Sequence, residues 1–140
     1  MGDELATVLV VEDEKLLNDF ITNVLEREGY KVQKALDGEE ALLRIAESKP
    51  DVVILDLMLP KVNGFEVYRK IHADERFKEI PVIVCSALGR RSLHDDQKGI
   101  LDGIMAYFTK PFDLKDLLGK VKVAVESKNG DKPGSKIIVV

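Results

Sequence analysis

The 140-residue chain lacks the features that would place it in a membrane, secreted or nucleic-acid-binding class. No apolar run approaches the ~20 residues that a membrane-spanning helix needs, and the start, MGDELATVLVVEDE, lacks the basic region of a signal peptide. The one cysteine, Cys85, lies in the apolar run PVIVCSA, which excludes a framework of internal disulfides. A net charge of −4 provides no basic surface for nucleic acid. We therefore expect a cytoplasmic protein with no membrane contact and no direct contact with nucleic acid.

The composition is that of an ordinary globular protein, with 45% hydrophobic and 33% charged residues. At 140 residues the chain is long enough for one domain with a hydrophobic core. Its end, KNGDKPGSKIIVV, differs in character, because a flexible spacer precedes a short β-branched run. We predict a single domain over residues 1–127 and a flexible tail over 128–140. Addition of the IIVV segment to a sheet edge is the alternative.

Short apolar runs alternate with longer segments of helical periodicity along the chain. Five such β–α units in succession predict an α/β fold, a doubly wound (βα)5 domain with helices on both faces of a parallel sheet. The fourth helix, over 88–103, has the weakest apolar pattern. The predicted strands are 7–11, 30–36, 52–55, 80–87 and 105–109, and the apolar stripe of the first helix comprises Leu16, Leu17, Phe20, Ile21, Val24 and Leu25.

An acidic residue, Asp56, ends the apolar run VVIL. A buried charge is costly unless it is paired, bound to a metal or protonated. In an open parallel sheet, sites form beyond the carboxyl ends of the strands, where the strand order reverses. A five-stranded order of 2-1-3-4-5 makes strands one and three neighbours, so Asp13 and Asp56 are expected to lie close together. Four groups of polar residues follow strands at this edge: Glu12-Asp13-Glu14, Asp56, Ser86 and Lys110.

Carboxylates that lie close together repel one another unless a cation joins them. Oxygen ligands suit Mg²⁺, which is commonly held by one or two carboxylates together with waters and phosphate oxygens. The ammonium group of Lys110 can hold a phosphate or pair with Asp56. These residues favour a carboxylate nucleophile, Asp56, that forms an aspartyl phosphate while Mg²⁺ and Lys110 neutralise the phosphoryl oxygens.

Four stretches, VLVVEDE, DVVILDLMLPKVNG, VIVCSA and YFTKPF, resemble the motifs of response-regulator receiver domains of two-component signalling, in the same order and at similar spacing. The resemblance covers residues 6–127. It implies a flavodoxin-like fold, as in the chemotaxis regulators, and a protein that is no enzyme beyond its own phosphorylation and slow dephosphorylation. It also implies a histidine kinase or histidine phosphotransfer protein as phosphoryl donor, and a protein target downstream.

The resemblance also implies the roles of individual residues around the phosphorylated Asp56. Mg²⁺ would be held by Asp13, Asp56 and the main-chain carbonyl of Met58, with Glu12 acting through a water. Lys110 would assist the phosphoryl transfer, together with Ser86. Glu12 stands where this family more often has aspartate, so its longer side chain is expected to alter the water shell of the metal.

A switch is implied for the other side of the site, where Ser86 and Tyr107 would form the responding pair and the Lys110–Pro111 peptide would be cis. In the run GIMAY, Ile104 and Met105 replace the more acidic residues of relatives. We expect an exposed apolar edge there, within an output surface of the fourth helix, fifth strand and fifth helix. Phosphorylation-dependent homodimerisation or partner docking would use this surface.

Two other functions fit parts of the pattern. A phosphatase or phosphotransferase of the haloacid-dehalogenase type also uses a strand-end aspartate, but it needs an acid two residues later, where this chain has Met58. A receiver that binds partners without phosphorylation would be expected if Asp56, Asp13 or Lys110 were missing. Met58 and Leu88 are apolar at the positions best placed to guide a hydrolytic water, which predicts slow loss of the phosphoryl group.

Overall fold

The computed structural model describes residues 5–127 and 138–139 of the chain. Its strands are β1 (Thr7–Val11), β2 (Lys31–Ala35), β3 (Val52–Leu55), β4 (Val82–Ser86), β5 (Ala106–Thr109) and β6 (Ile138–Val139). They are parallel throughout and lie in the order β2-β1-β3-β4-β5-β6, which confirms the predicted order 2-1-3-4-5 of the first five. The central strands β1, β3 and β4 are almost fully buried, as expected for β-branched runs covered on both faces.

The described part of the chain contains four α-helices: α1 (Lys15–Arg27), α2 (Gly38–Ser48), α3 (Gly64–Ala73) and α4 (Leu114–Ser127). They pack in pairs on the two faces of the sheet, since one core cluster contains buried residues of α2 and α3 and the other contains those of α1 and α4. Asp37 and Asn63 are the N-caps of α2 and α3, because their side-chain oxygens accept hydrogen bonds from the backbone N–H groups three residues later, at 2.8 and 3.0 Å. None of these helices is long and apolar enough to cross a membrane.

The prediction of an α-helix over 88–103 is wrong. This segment is fully described, and it contains two short 3₁₀ turns, Arg90–Ser92 and Lys98–Asp102, in place of an α-helix. Its polar sequence buries only Leu93 and Ile100 in the core, which is too little apolar surface to fix a longer helix on the sheet. We call residues 87–105 the β4–β5 connection.

The buried face of α1 differs from the predicted apolar stripe. Leu16 and Phe20 are 81% and 53% exposed, while the buried positions of this helix are Asn18, Ile21, Thr22 and Leu25. The spacing of these buried residues is still helical, but two of them are polar. Asn18 donates to nearby backbone carbonyls and Thr22 donates to the Asn18 side chain, so both polar residues of the inner face have hydrogen-bond partners.

Ile104 and Met105 are not exposed, so the expected apolar edge at these residues is wrong. Ile104 is fully buried in the core cluster on the α2–α3 face, and Met105 is 9% exposed and belongs to the opposite cluster. Successive side chains of an extended segment point to opposite faces, so this pair fills both cores just before β5.

The predicted flexible tail, residues 128–140, lies outside the described residues except for β6. The backbone of β6 pairs in parallel with β5, with Ile138 opposite Ala106 and Val139 opposite Tyr107. At these two residues the structure shows strand addition to a sheet edge, the alternative to a flexible tail.

Candidate functional site

Asp56 follows β3 at the carboxyl edge of the sheet, and its side chain is only 5% exposed. Its backbone N–H donates to the Val11 carbonyl at 3.0 Å, which ties the end of β3 to the end of β1. One carboxylate oxygen accepts a hydrogen bond from the Met58 N–H at 3.0 Å, and the other accepts one from Lys110 Nζ at 3.0 Å. The buried charge that the sequence placed here therefore has both a hydrogen-bond donor and a cation as partners.

Glu12 is the second buried carboxylate of the site, with its side chain 4% exposed. Its Oε1 accepts a hydrogen bond from Lys110 Nζ at 2.6 Å, and its Oε2 accepts one from the Glu14 N–H at 2.9 Å. Lys110 thus bridges two carboxylates from different strand ends. The Lys110 backbone N–H donates to the Ser86 carbonyl at 2.8 Å, which fixes the chain that presents the ammonium group. The Lys110–Pro111 peptide is cis, as predicted.

Burial and nearby charges shift the pKa values of Glu12 and Lys110. Burial raises the pKa of Glu12 and the nearby Asp56 charge adds to this rise, while the hydrogen bonds from Lys110 and Glu14 partly oppose it. Burial by itself would lower the pKa of Lys110, but the hydrogen bonds to Glu12 and Asp56 outweigh that effect and raise it. Lys110 therefore stays cationic at neutral pH, and its single positive charge is shared between two carboxyl groups.

Glu12, Asp13 and Asp56 form a cluster in which one carboxylate oxygen of each lies within 4.8 Å of the others. Asp13 is exposed, so a cation can enter from solvent, while the other two carboxylates are buried. A cluster of oxygen donors with excess negative charge fits a hard divalent cation, and Mg²⁺ in particular, since this ion retains waters and needs few protein ligands. We call Glu12, Asp13, Asp56 and Lys110 the acidic corner.

Gly64, the first residue of α3, allows the loop after Asp56 to close. A Cβ atom at this position would lie 2.3 Å from the Asp56 carbonyl oxygen and 2.4 Å from Leu57 Cα, both of them backbone atoms. The Gly64 N–H also donates to the Leu57 carbonyl at 2.9 Å. The Asn63-Gly64 pair indicated a loop from the sequence, whereas its contact with the backbone of Asp56 follows from the tertiary packing alone.

Ser86 and Tyr107 meet at the backbone of one residue, Leu88. The fully buried hydroxyl of Ser86 accepts a hydrogen bond from the Leu88 N–H at 3.2 Å. The Tyr107 hydroxyl donates to the Leu88 carbonyl oxygen. Burial, together with the charge of Asp56, raises the pKa of Tyr107 to about 12, so its hydroxyl remains a donor at neutral pH. The ring of Tyr107 is only 2% exposed, so it already fills the space beneath the β4–β5 connection.

A cleft reaches the acidic corner at Asp13, which lines it together with Met58 and Leu88. Met58 is 58% exposed. Three polar residues of the β4–β5 connection line the same cleft: Ser92, His94 and Gln97. Sequence reasoning had not placed them there, because a polar segment without a periodic pattern carries no signal of where its side chains point.

The structure thus brings together four of the residues predicted for the site, Glu12, Asp13, Asp56 and Lys110. Ser86 is the last residue of β4, and Tyr107 is the second residue of the neighbouring strand β5. The use of the Met58 carbonyl as a metal ligand stays a prediction.

A family model, described as the response regulator receiver domain, matches residues 8–122, which is most of the chain. The chain belongs to this family. It is a receiver domain of the response regulators of two-component signalling, and its acidic cluster is of the kind that forms the magnesium-binding phosphoacceptor site in such domains.

Relatives of known sequence include DNA-binding dual master transcriptional regulator RpaA of Synechocystis sp., which is 39% identical over 82% of this chain and 47% of its own length. Protein PilG of Pseudomonas aeruginosa is 35% identical over 86% of this chain and 87% of its own length. The chain therefore spans about half of RpaA but most of PilG. The DNA binding named for RpaA belongs to that whole protein.

Solved structures of receiver domains share the fold. A CheY-like receiver domain protein from Methanospirillum hungatei superposes with a TM-score of 0.80 at 26% identity, covering 90% of this chain and 98% of its own. The receiver domain of sensor histidine kinase PA1611 from Pseudomonas aeruginosa, solved with a magnesium ion coordinated in its active-site cleft, has a TM-score of 0.75 at 26% identity. That similarity covers 89% of this chain and all of the other.

Proposed function

We propose that this receiver domain accepts a phosphoryl group on Asp56 and that phosphorylation changes the β4–β5 connection. The observation that carries the proposal is the pair of contacts that Lys110 Nζ makes with Glu12 and Asp56, at 2.6 and 3.0 Å, in the acidic corner. An ion pair that served only stability would need one carboxylate for one ammonium group. Here a third carboxylate, Asp13, joins the same cluster, and the excess negative charge calls for a further cation.

In the proposed reaction, a carboxylate oxygen of Asp56 attacks the phosphorus of the donor. A P–O bond forms, the bond between phosphorus and the donor atom breaks, and the electron pair leaves with the donor. Lys110 neutralises charge on the phosphoryl oxygens, while the Met58 N–H orients the carboxylate and Gly64 allows close packing against the Asp56 backbone. Mg²⁺, held by Asp13, Asp56 and the Met58 carbonyl, with Glu12 acting through a water, would supply further neutralisation of the phosphoryl oxygens.

The donor is proposed to be the phosphohistidine of a histidine kinase or histidine phosphotransfer protein. Three exposed apolar side chains belong to segments that directly follow the residues of the acidic corner: Leu16 and Phe20 are one turn apart on α1, the helix after Asp13, and Met58 lines the cleft. Exposed apolar groups around a reactive centre are typical of a protein contact. Such a surface fits a protein donor better than a small phosphoester.

The switch is proposed to run through Leu88. A phosphoryl group on Asp56 offers new acceptor oxygens, and a Ser86 hydroxyl that turns to donate to them gives up the Leu88 N–H. Because the Leu88 carbonyl holds the Tyr107 hydroxyl, movement of Leu88 is passed on to the tyrosine. Tyr107 is already buried in this structure, so the proposed change is the loss of its bond to Leu88 and a shift of the connection.

The output surface is proposed to be the exposed part of the β4–β5 connection with β5 and α4. Ile104 and Met105 do not take part in a contact with a target, since both are buried. A downstream protein or a second copy of the chain remains the proposed partner, and an intracellular location remains a prediction. The division into a receiver domain, 1–127, and a tail, 128–140, is likewise proposed.

The test of the phosphoacceptor is intact-mass measurement after incubation with acetyl phosphate and Mg²⁺. We expect a stable gain of one phosphoryl group, its loss in Asp56→Asn, and its retention in the matched exposed variant Asp116→Asn. Phosphorylation of Asp56→Asn at the wild-type level would contradict the assignment. Steady turnover of phosphoester substrates would favour the hydrolase alternative.

A further inference from the structure

Asn18 is a fully buried polar residue on the inner face of α1. Its side-chain amide nitrogen donates toward three backbone carbonyls, those of Val10, Glu12 and Ala35, at 3.3, 3.0 and 3.2 Å. Its side-chain oxygen accepts a hydrogen bond from the Thr22 hydroxyl at 3.3 Å. An asparagine is seldom fully buried unless its amide is needed, because removing it from water is costly.

The three carbonyls depend on Asn18 to different degrees. The Ala35 carbonyl also accepts the Glu12 N–H at 3.0 Å, and Val10 lies within β1, between β2 and β3. The Glu12 carbonyl lies beyond the end of β1, where the ladder no longer supplies donors. Among the hydrogen bonds of the described residues, the one from Asn18 is the bond that this carbonyl accepts. Loss of the Asn18 amide would therefore affect the Glu12 carbonyl most, since it would leave this group without its hydrogen-bond donor.

With the bond from Asn18, every polar group of Glu12 has a hydrogen-bond partner. The backbone N–H of Glu12 is bound to Ala35, its two carboxylate oxygens to Lys110 and Glu14, and its carbonyl to Asn18. The peptide group that leads from Glu12 to the next residue is thereby held in one orientation. That next residue is Asp13, the exposed member of the carboxylate cluster.

From these contacts we infer that Asn18 is a positioning residue for the cation site: it fixes the Glu12–Asp13 peptide so that the carboxylates converge on one point. Asn18 itself touches neither the cation nor the phosphoryl group and acts through Glu12. The inference rests on the proposed function, because it takes the acidic corner to be a Mg²⁺ site. Residues that orient metal ligands in this way typically contribute about 10- to 100-fold to metal affinity.

A merely structural role for Asn18 predicts a different result. Loss of a buried amide lowers the stability of the fold in either case. A structural residue would leave the Mg²⁺ affinity of the folded molecules unchanged, whereas a positioning residue would weaken it. The decisive measurement is therefore direct Mg²⁺ binding by calorimetry, at a temperature where urea unfolding shows each variant to be folded.

The variants are Asn18→Leu, which has the same number of side-chain heavy atoms and no donor, and Asn18→Ser, which is smaller and serves if the leucine variant does not fold. Ile21→Val is the matched control, since Ile21 is a buried residue of the same helix without a polar contact to the acidic corner. We expect roughly tenfold weaker Mg²⁺ binding in the Asn18 variants, unchanged binding in Ile21→Val, and recovery of acetyl-phosphate phosphorylation at saturating Mg²⁺.

Wild-type Mg²⁺ affinity in a folded Asn18 variant would overturn the inference. Asp13→Asn, measured alongside, separates this outcome from a failure of the proposed function. If Asp13→Asn weakens Mg²⁺ binding and Asn18→Ser does not, Asn18 has no positioning role and the site stands. If neither variant changes the Mg²⁺ affinity, the acidic corner is not the cation site, and the positioning role falls with it.

Discussion

The acidic corner and the β4–β5 connection border the same cleft, yet they are held in place in opposite ways. In the acidic corner, the backbone and carboxylate groups of Glu12 all have partners, and Lys110 ties two strand ends together. The connection has two 3₁₀ turns, and between 87 and 103 it buries only Leu93 and Ile100. Segments with few buried apolar contacts open most easily.

This difference matches the two tasks of a receiver. Phosphoryl transfer depends on the alignment of charged groups, so the acidic corner has to be rigid before the donor arrives. A change in shape needs a segment whose alternative conformations differ little in free energy, which the weakly anchored connection supplies. Leu88 lies at the boundary, since its backbone contacts both Ser86 and Tyr107.

The largest effect is expected from Gly64→Ala, which disturbs the rigid region. The new methyl group would lie against the backbone of Asp56 and Leu57, and a displacement of about 1 Å at a reacting group can cost roughly 100-fold in rate. We expect a loss of that order in the rate of phosphorylation by acetyl phosphate, measured by intact mass, together with a lower free energy of unfolding.

Gly119→Ala in α4 is the matched control, because a Cβ there meets no atom within 4 Å. It should raise the free energy of unfolding by about 0.5–1 kcal/mol, the usual helix preference of alanine over glycine, and leave the phosphorylation rate unchanged. A Gly64→Ala protein that is phosphorylated as fast as the wild type would show that the loop after Asp56 tolerates displacement.

A smaller effect is expected where the two regions meet over the cleft. Met58 and Leu88 offer no side-chain hydrogen bond to an attacking water, so Met58→Asn combined with Leu88→Glu should speed loss of the phosphoryl group several-fold. A decay time course of the phosphorylated protein measures this. An unchanged lifetime in the double variant would show that the apolar pair does not limit hydrolysis.

Gln97→Ala sharpens this comparison, since Gln97 lines the same cleft from the connection. Its side-chain oxygen already accepts the His94 N–H at 2.9 Å, so we expect little change in the decay rate. A slower decay in Gln97→Ala would assign the guidance of water to the connection.

The smallest effect is expected from Glu12→Gln, which removes a buried carboxyl group from the acidic corner. Because burial raises the pKa of Glu12, the folded state binds its proton more tightly than the unfolded state does. The stability that this provides is present below the ordinary value of 4.5 and is lost as the pH rises through the raised pKa. Without Mg²⁺, Glu12→Gln should therefore gain stability relative to the wild type between about pH 4.5 and neutrality.

We expect a relative gain of about 0.5–2 kcal/mol, the size commonly found for single stabilising substitutions, measured by urea unfolding across this pH range. Saturating Mg²⁺ should reverse the order, because it stabilises the protein that binds it better. A difference between the two proteins that does not vary with pH would mean that Glu12 carries no such cost.

Local sequence patterns were sufficient for much of the fold and for the charged part of the site. The apolar runs and helical periodicity predicted all five main strands and the four α-helices that form, and the rule for parallel sheets placed Asp13 and Asp56 at one edge. The fourth helix failed for a reason visible only in the fold: its polar segment contributes two anchoring side chains, too few to stabilise a helix in water.

What the sequence determined by itself was the order of elements, the position of each charged residue at a strand end, and hence the phosphoacceptor candidate. Those features depend on the spacing of apolar residues, every two residues in strands and every 3.6 in helices, and on residue chemistry. Both can be seen within short stretches of the sequence. The tertiary structure alone decided that Asn18 faces inward while Leu16 does not, that Gly64 packs against the backbone of Asp56, and that Ile104 is core. Asn18 faces inward because backbone carbonyls there need a donor, and Gly64 and Ile104 are fixed by how closely neighbouring segments approach. Both conditions depend on contacts between different elements of the fold.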